Sequence, residues 1–213
     1  AASERSAGKT YAEACTWLDE HFQASLAEVK DNIDRYFLGG VNHIVYHGTP
    51  YSPPDEKWPG WLFYAAVHFG PTNSFWNDFP AVNDYVTRCQ SFLQAGKPDN
   101  DVLVYFPAYD RWSNPSERLL EHFDGGAYGT SARDLGIKLQ EWGYTFDFAS
   151  DKQIANLNVQ NGKLKAPNAS YQSIIVPETE FMPIETLRSL YELAGKGAKI
   201  SFVNQLPAHV SGF

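Results

Sequence analysis

The chain has 213 residues, 43% of them hydrophobic, and a formal charge of −8 from 17 basic against 25 acidic side chains. That length suffices for one large domain or two smaller ones, each with its own core. The acidic balance and the scattered Lys and Arg residues exclude a nucleic-acid partner, and no apolar run approaches the roughly 18 residues of a membrane span.

The N-terminal AASERSAGKT lacks the charged-then-apolar order of a secretory signal, which leaves a signal on a longer precursor open. Cys15 and Cys89 have no CxxC spacing, so neither a disulfide framework nor a zinc site is indicated. KTYAEAC predicts a strand over 9–15. A helix follows, because Ser25 with Glu28 forms a capping box, Leu26, Val29, Ile33 and Phe37 recur at helical spacing, and Gly39-Gly40 stops the run. Residues 41–47 read as a second strand, and the whole has the length of a parallel βαβ crossover. This strand, within GGVNHIVYHGTPYS, carries Asn42, His43 and His47. Two readings stay open: Asn42 and His43 satisfy neighbouring backbone groups and His47 is a turn residue, or the strand ends in a polar cleft. Between Tyr46 and Tyr85 a Pro/Gly-rich segment is crowded with Trp58, Trp61, Phe63, Tyr64, Phe69, Phe75, Trp76 and Phe79. Such a loop is usually ordered around something it binds. A second helix is predicted over 80–95, with Asp78 as candidate cap, Val82, Val86, Cys89 and Leu93 on one face, and Gly96 after it.

KPDND, residues 97–101, is polar, contains Pro and precedes the apolar strand VLVYFP at 102–107, so it divides the chain into 1–98 and 99–213. Beyond it the pattern predicts a helix over 131–142 closed by Gly143, a strand over 144–149 and a hairpin turning at Asn161-Gly162. A strand over 173–177, a helix over 183–194 and a strand over 198–203 complete a parallel α/β sandwich of the flavodoxin type. Two parallel strands and one crossover helix cannot bury both of their faces, so the chain is expected to be a piece of a longer protein. If the first unit is the end of a (β/α)8 barrel, Glu13 and His47 sit at the catalytic face.

AEACTWLDEHF (12–22), RYFLGGVNHIVYHGTPYSP (35–53), WPGWLFYA (58–65) and FWNDFPAVNDYVTRCQSFLQAGKPDNDVLVYFP (75–107) resemble the α-L-rhamnosidases of glycoside hydrolase family 106. The resemblance continues more weakly through YTFDFASDKQI and SIIVPETEFMP. It implies a (β/α)8 (TIM) barrel of which only the last strands are present, followed by a flavodoxin-like or class I glutamine-amidotransferase-like parallel α/β domain. It implies inverting hydrolysis of terminal α-L-rhamnosyl linkages in plant or bacterial glycans, a calcium ion near the sugar, no organic cofactor, and a periplasmic or secreted bacterial enzyme. The implied partners are a rhamnose-containing oligo- or polysaccharide and the remaining domains of the parent chain. Glu13 resembles the family's catalytic carboxylate, with the general base as its role. His47 is expected to contact a sugar hydroxyl, and Tyr51 and Trp58 to stack on or wall the ring. The loop Asp19-Glu20-His21 offers oxygen ligands of the kind calcium prefers, but a solvated charge run before a helix is the stronger reading, so no metal residue is assigned. Asp110, Asp147 and Asp151 lie near strand ends and read as structural. The alternative is a non-catalytic carbohydrate-binding or structural α/β module.

Overall fold

The computed structural model describes residues 9–16, 18–65, 67–113, 129–167 and 169–210. The chain divides into two compact units, the first ending at Lys97 and the second starting at Pro98.

The first unit contains β1 (Tyr11–Ala14), α1 (Leu26–Leu38), β2 (His43–Tyr46) and α2 (Phe79–Ala95). β1 and β2 pair in parallel, Glu13 opposite Val45 and Ala14 opposite Tyr46, which is the βαβ connection that the sequence predicts. β1 is shorter than the predicted strand because Cys15 turns into the left-handed region at φ 69°. The capping box of α1 forms in both directions, Ser25 accepting from the Glu28 N–H and the Glu28 carboxylate accepting from the Ser25 N–H at 2.8 Å. At its other end Gly40 adopts φ 89° and the Val41 N–H returns to the Tyr36 carbonyl at 3.0 Å.

Strand alternation then sorts the side chains. Ala14 and Ile44 are buried with Val29 and Ile33 of α1 and with Phe69, Phe75 and Phe79. The opposite face of the pair carries Tyr11, Glu13, His43 and Val45, and it is open: Tyr11 is 62% and Val45 44% exposed. The free edge of β2 is closed by α2, where the Ile44 N–H donates to Gln90 Oε1 at 2.7 Å and Gln94 Nε2 donates to the Asn42 carbonyl at 2.6 Å. Asn42 Oδ1 accepts the Thr10 N–H at 2.7 Å, so Asn42 satisfies neighbouring backbone. Asp78 occupies the cap position of α2 without capping it, since its own backbone is helical at φ −96° and ψ −15° and its side chain makes no cap bond.

The second unit contains β3 (Val102–Tyr105), α3 (Ala108–Ser113), α4 (Ser131–Glu141), β4 (Phe146–Ala149), α5 (Asp151–Ala155), β5 (Asn158–Gln160), β6 (Lys163–Ala166), β7 (Ala169–Tyr171), β8 (Ser173–Val176), α6 (Ile184–Gly195) and β9 (Lys199–Phe202). Four strands form a parallel sheet in the order β4-β3-β8-β9. Every residue of β3 is buried, as an uninterrupted apolar run requires when helices cover both faces. Leu103, Tyr105, Ile174 and Val176 pack with Ile154 of α5 and Leu190 of α6. Val102 and Val104 pack on the other side with Ala132 and Leu139 of α4. Asn161 (φ 53°) and Gly162 (φ 71°) make the tight turn between β5 and β6. β7 adds a third antiparallel strand, too short to show alternation in the sequence.

Candidate active site

β1 and β2 end side by side, and the ladder runs one step further, with the His47 N–H donating to the Ala14 carbonyl at 3.1 Å. His47 Nδ1 shares a hydrogen bond with Thr16 Oγ1 at 3.1 Å, and the Phe63 ring meets the imidazole edge-on at 5.2 Å. Gly48 then donates to the Val67 carbonyl at 3.2 Å and accepts from the Phe69 N–H at 3.0 Å. The aromatic loop between them is therefore pinned at both ends onto the end of β2.

This loop encloses a cavity of about 650 Å3, lined by Tyr51, Trp58, Trp61, Glu56 and His68 among proline-rich backbone. Tyr51 and Trp58 are thus brought together, 72% and 71% exposed. Neither Glu13 nor His47 lines the cavity. Glu13 lies on the open face of β1, exposed, and makes no hydrogen bond or ion pair among the described residues. His43, on the same face, meets the Tyr11 ring edge-on at 4.6 Å, and its buried Nδ1 has no hydrogen-bond partner.

One pair of residues escaped the sequence reading. His21 Nδ1 and His68 Nε2 lie 2.8 Å apart, so one ring donates to the other. Phe22 stacks on His68 at 4.8 Å and leans on Trp58 at 5.5 Å, and Asn73 Nδ2 donates to the His68 carbonyl at 2.9 Å. His68 is 1% exposed. Burial first, and the charge that His21 can carry second, hold its imidazole below the usual histidine range. No sequence signal singles the pair out, because the His-Phe dipeptide at 21–22 and 68–69 occurs again at 122–123.

Other reactive groups are committed elsewhere. Burial pushes the Cys15 thiol up to about 12, which keeps it protonated and unreactive near neutrality. In the second unit Asp110 accepts from the Glu180 and Phe181 N–H groups, at 2.9 and 2.6 Å. Asp147 accepts from Asn100 and Tyr171, at 2.6 and 2.9 Å. Asp151 accepts from Tyr105 and Thr186, at 2.9 and 2.7 Å. These carboxylates tie strand ends to their surroundings.

The family model of glycoside hydrolase family 106, alpha-L-rhamnosidase, matches residues 6–208. The chain belongs to this family. A Formosa agariphila protein named "Putative beta-glucuronidase" is 29% identical over 184 residues, which are 85% of this chain and 14% of that protein. The solved structure of a rhamnosidase from Novosphingobium sp. PP1Y superposes with a TM-score of 0.70 at 21% identity, covering 95% of this chain and 18% of the other, and so shares the fold. The family 106 chain therefore spans less than a fifth of either relative.

Among the described residues no group of three or more His, Cys, Asp or Glu side chains converges as a metal ion requires. Asp19 Oδ1 turns back to the Glu20 N–H at 2.8 Å. The calcium ion that the family resemblance implies thus has no cluster of three acidic side chains to hold it among the described residues. No described helix is long and apolar enough to cross a membrane.

Proposed function

We propose that this chain is the part of a glycoside hydrolase that supplies the general base and a share of the sugar pocket for hydrolysing terminal α-L-rhamnosyl linkages with inversion. One observation carries the reading: in a family 106 chain, Glu13 stands exposed on the open face of a parallel strand pair, with no hydrogen bond or ion pair among the described residues. Inverting glycosidases hold two carboxyl groups roughly 6.5–9.5 Å apart, leaving room for a water between one of them and the anomeric carbon. Glu13 takes a proton from that water as its oxygen bonds to the anomeric carbon. The bond to the leaving oxygen breaks, and a carboxylic acid from another part of the parent enzyme protonates it. A solvent-facing carboxylate without protein partners suits a base that must reach water. His47, with Nδ1 engaged by Thr16, keeps Nε2 for a sugar hydroxyl, and Tyr51 and Trp58 wall the neighbouring aromatic cavity, which His47 does not line.

The first unit is read as the last strands of a (β/α)8 barrel, in which strand C-terminal ends collect the catalytic groups. In the second unit the parallel strands lie second, first, third, fourth in order of appearance. Flavodoxin-type sheets begin in that order, which supports a flavodoxin-like or glutamine-amidotransferase-like accessory domain. The substrate is read as a rhamnose-containing plant or bacterial glycan met outside the cytoplasm. No step of this mechanism runs through a metal ion.

The test is Glu13→Gln in the full-length protein. General-base catalysis typically contributes about 10²–10⁴-fold, so kcat on an aryl α-L-rhamnoside should fall by at least about 10²-fold, with KM within a few fold. The acidic limb of kcat/KM should disappear with it, and NMR of the wild-type reaction should show β-L-rhamnose as the first product. Near-normal kcat in the folded variant places the base elsewhere. A non-catalytic carbohydrate-binding role draws on the same aromatic cavity, and it takes over if the wild-type protein binds rhamnosides without cleaving them.

A further inference from the structure

We propose that the cavity walled by Tyr51, Trp58 and Trp61 is a second saccharide site, which holds a neutral sugar unit of a chain whose terminal rhamnose lies at Glu13 and His47. The inference rests on the hydrolase reading for the second half of that statement. The lining begins at Thr49, just past His47, and includes neither His47 nor Glu13. A ring held there is not the ring whose anomeric carbon Glu13 serves. Its volume of about 650 Å3 lies within the roughly 300–1,000 Å3 of small-molecule sites.

The walls are built for flat apolar contact. Trp58 Nε1 donates to the Thr72 carbonyl at 3.1 Å, and Trp61 Nε1 donates to Glu56 Oε2 at 3.2 Å. With both N–H groups occupied, what remains on offer, 71% and 56% exposed, is ring surface. Such faces pack against the C–H face of a pyranose. The rings are also fixed in advance. The Trp61 N–H donates to Ser52 Oγ at 3.1 Å, and Gly60, at φ +83°, lets Ser52 approach so closely that a Cβ would sit 2.4 Å from its hydroxyl. Preorganisation of this kind lowers the ordering cost of binding.

Charge selects the class of sugar. No Lys or Arg is among the described residues that line the cavity, whereas Glu56 is, and it makes no ion pair among the described residues. His68, buried beside His21, resists becoming the missing cation. A uronate or sulfated unit would bring a second anion to Glu56 without compensation, while a neutral sugar can donate a hydroxyl to that carboxylate. The cavity thus favours neutral over acidic glycans.

The experiment uses the full-length protein carrying Glu13→Gln to prevent turnover. Calorimetry would compare three probes: methyl α-L-rhamnoside, a rhamnosyl-glucose disaccharide, and the matching rhamnosyl-glucuronate. The neutral disaccharide should bind at least about tenfold more tightly than either of the others, a difference of about 1.4 kcal/mol. Trp61→Ala should abolish that gain, Trp61→Phe should restore most of it, and Glu56→Gln should narrow the gap between neutral and acidic disaccharides. Equal affinity for the three probes, a preference for the uronate, or a gain that survives Trp61→Ala overturns the proposal. If the neutral disaccharide binds as expected but the wild-type protein cleaves no rhamnoside, the hydrolase reading fails and the cavity stands. If cleavage occurs while the three probes bind alike, the cavity falls alone.

Discussion

His68 is buried to 1% exposure with a second imidazole 2.8 Å away, so adding a proton costs it solvation and sets it against any charge on His21. Among the described residues its recorded contacts are the His21 ring, the stacked Phe22 and the Asn73 amide bonded to its carbonyl, none of them an acid, and Glu56, which lines the same cavity, makes no ion pair with it. Because the folded state holds a lowered pKa, the stability from this group is complete above the unfolded value near about 6.5 and is lost as pH falls through the folded value. The melting temperature should therefore drop as pH falls below about 6.5, and His68→Gln should flatten that slope. An unchanged slope in the variant would refute the assignment. This residue was invisible in the sequence because burial and the contact across 47 positions are properties of the folded chain. Glu13 is proposed from its family-like AEACTW context and its place near a strand end, since an exposed Glu there has no periodic or spacing signal of its own.

Elements that depend on neighbours in sequence were readable, and those that depend on distant partners were not. The capping box at Ser25 and Glu28 is local chemistry, and it closes as its spacing predicts. Ser25→Ala should cost about 1 kcal/mol, measured by denaturant unfolding of the first unit. Asp78 had the residue type of a cap, but Pro80 in the first turn and a helical backbone at Asp78 itself leave its side chain out of reach. The polar content of β2 has a non-local answer: Gln90, 46 positions away, supplies the acceptor for the Ile44 N–H. Gln90→Leu should leave that donor unsatisfied and destabilise the unit by about 1–3 kcal/mol. A loss below the error of the unfolding measurement would mean that solvent replaces the glutamine. The second unit's alternating run was legible down to the Asn161-Gly162 turn, whereas β7, α3 and α5 are too short for periodicity to declare them.

At the scale of the molecule, each unit has a core of its own, yet the face that bears Glu13 is open and the chain spans 14% and 18% of its two relatives. Family membership was legible because long motifs such as RYFLGGVNHIVYHGTPYSP keep order and spacing together. The class of sugar proposed for the aromatic cavity was not, since it is argued from how exposed rings and one carboxylate surround that cavity. A polypeptide of these 213 residues should show little or no hydrolysis of an aryl α-L-rhamnoside, because the proposed mechanism assigns the acid partner and most of the pocket to other parts of the parent enzyme. Robust turnover by that polypeptide would count against the division of labour proposed above. The general-base role of Glu13 is tested most directly by azide rescue of Glu13→Ala in the full-length protein. The variant should lose about 10²–10⁴-fold in kcat. Added azide, which needs no base to attack, should restore turnover and give β-L-rhamnosyl azide, the inverted product. Undiminished kcat without azide, or an α-linked azide with it, would contradict the assignment of Glu13 as the base of an inverting enzyme.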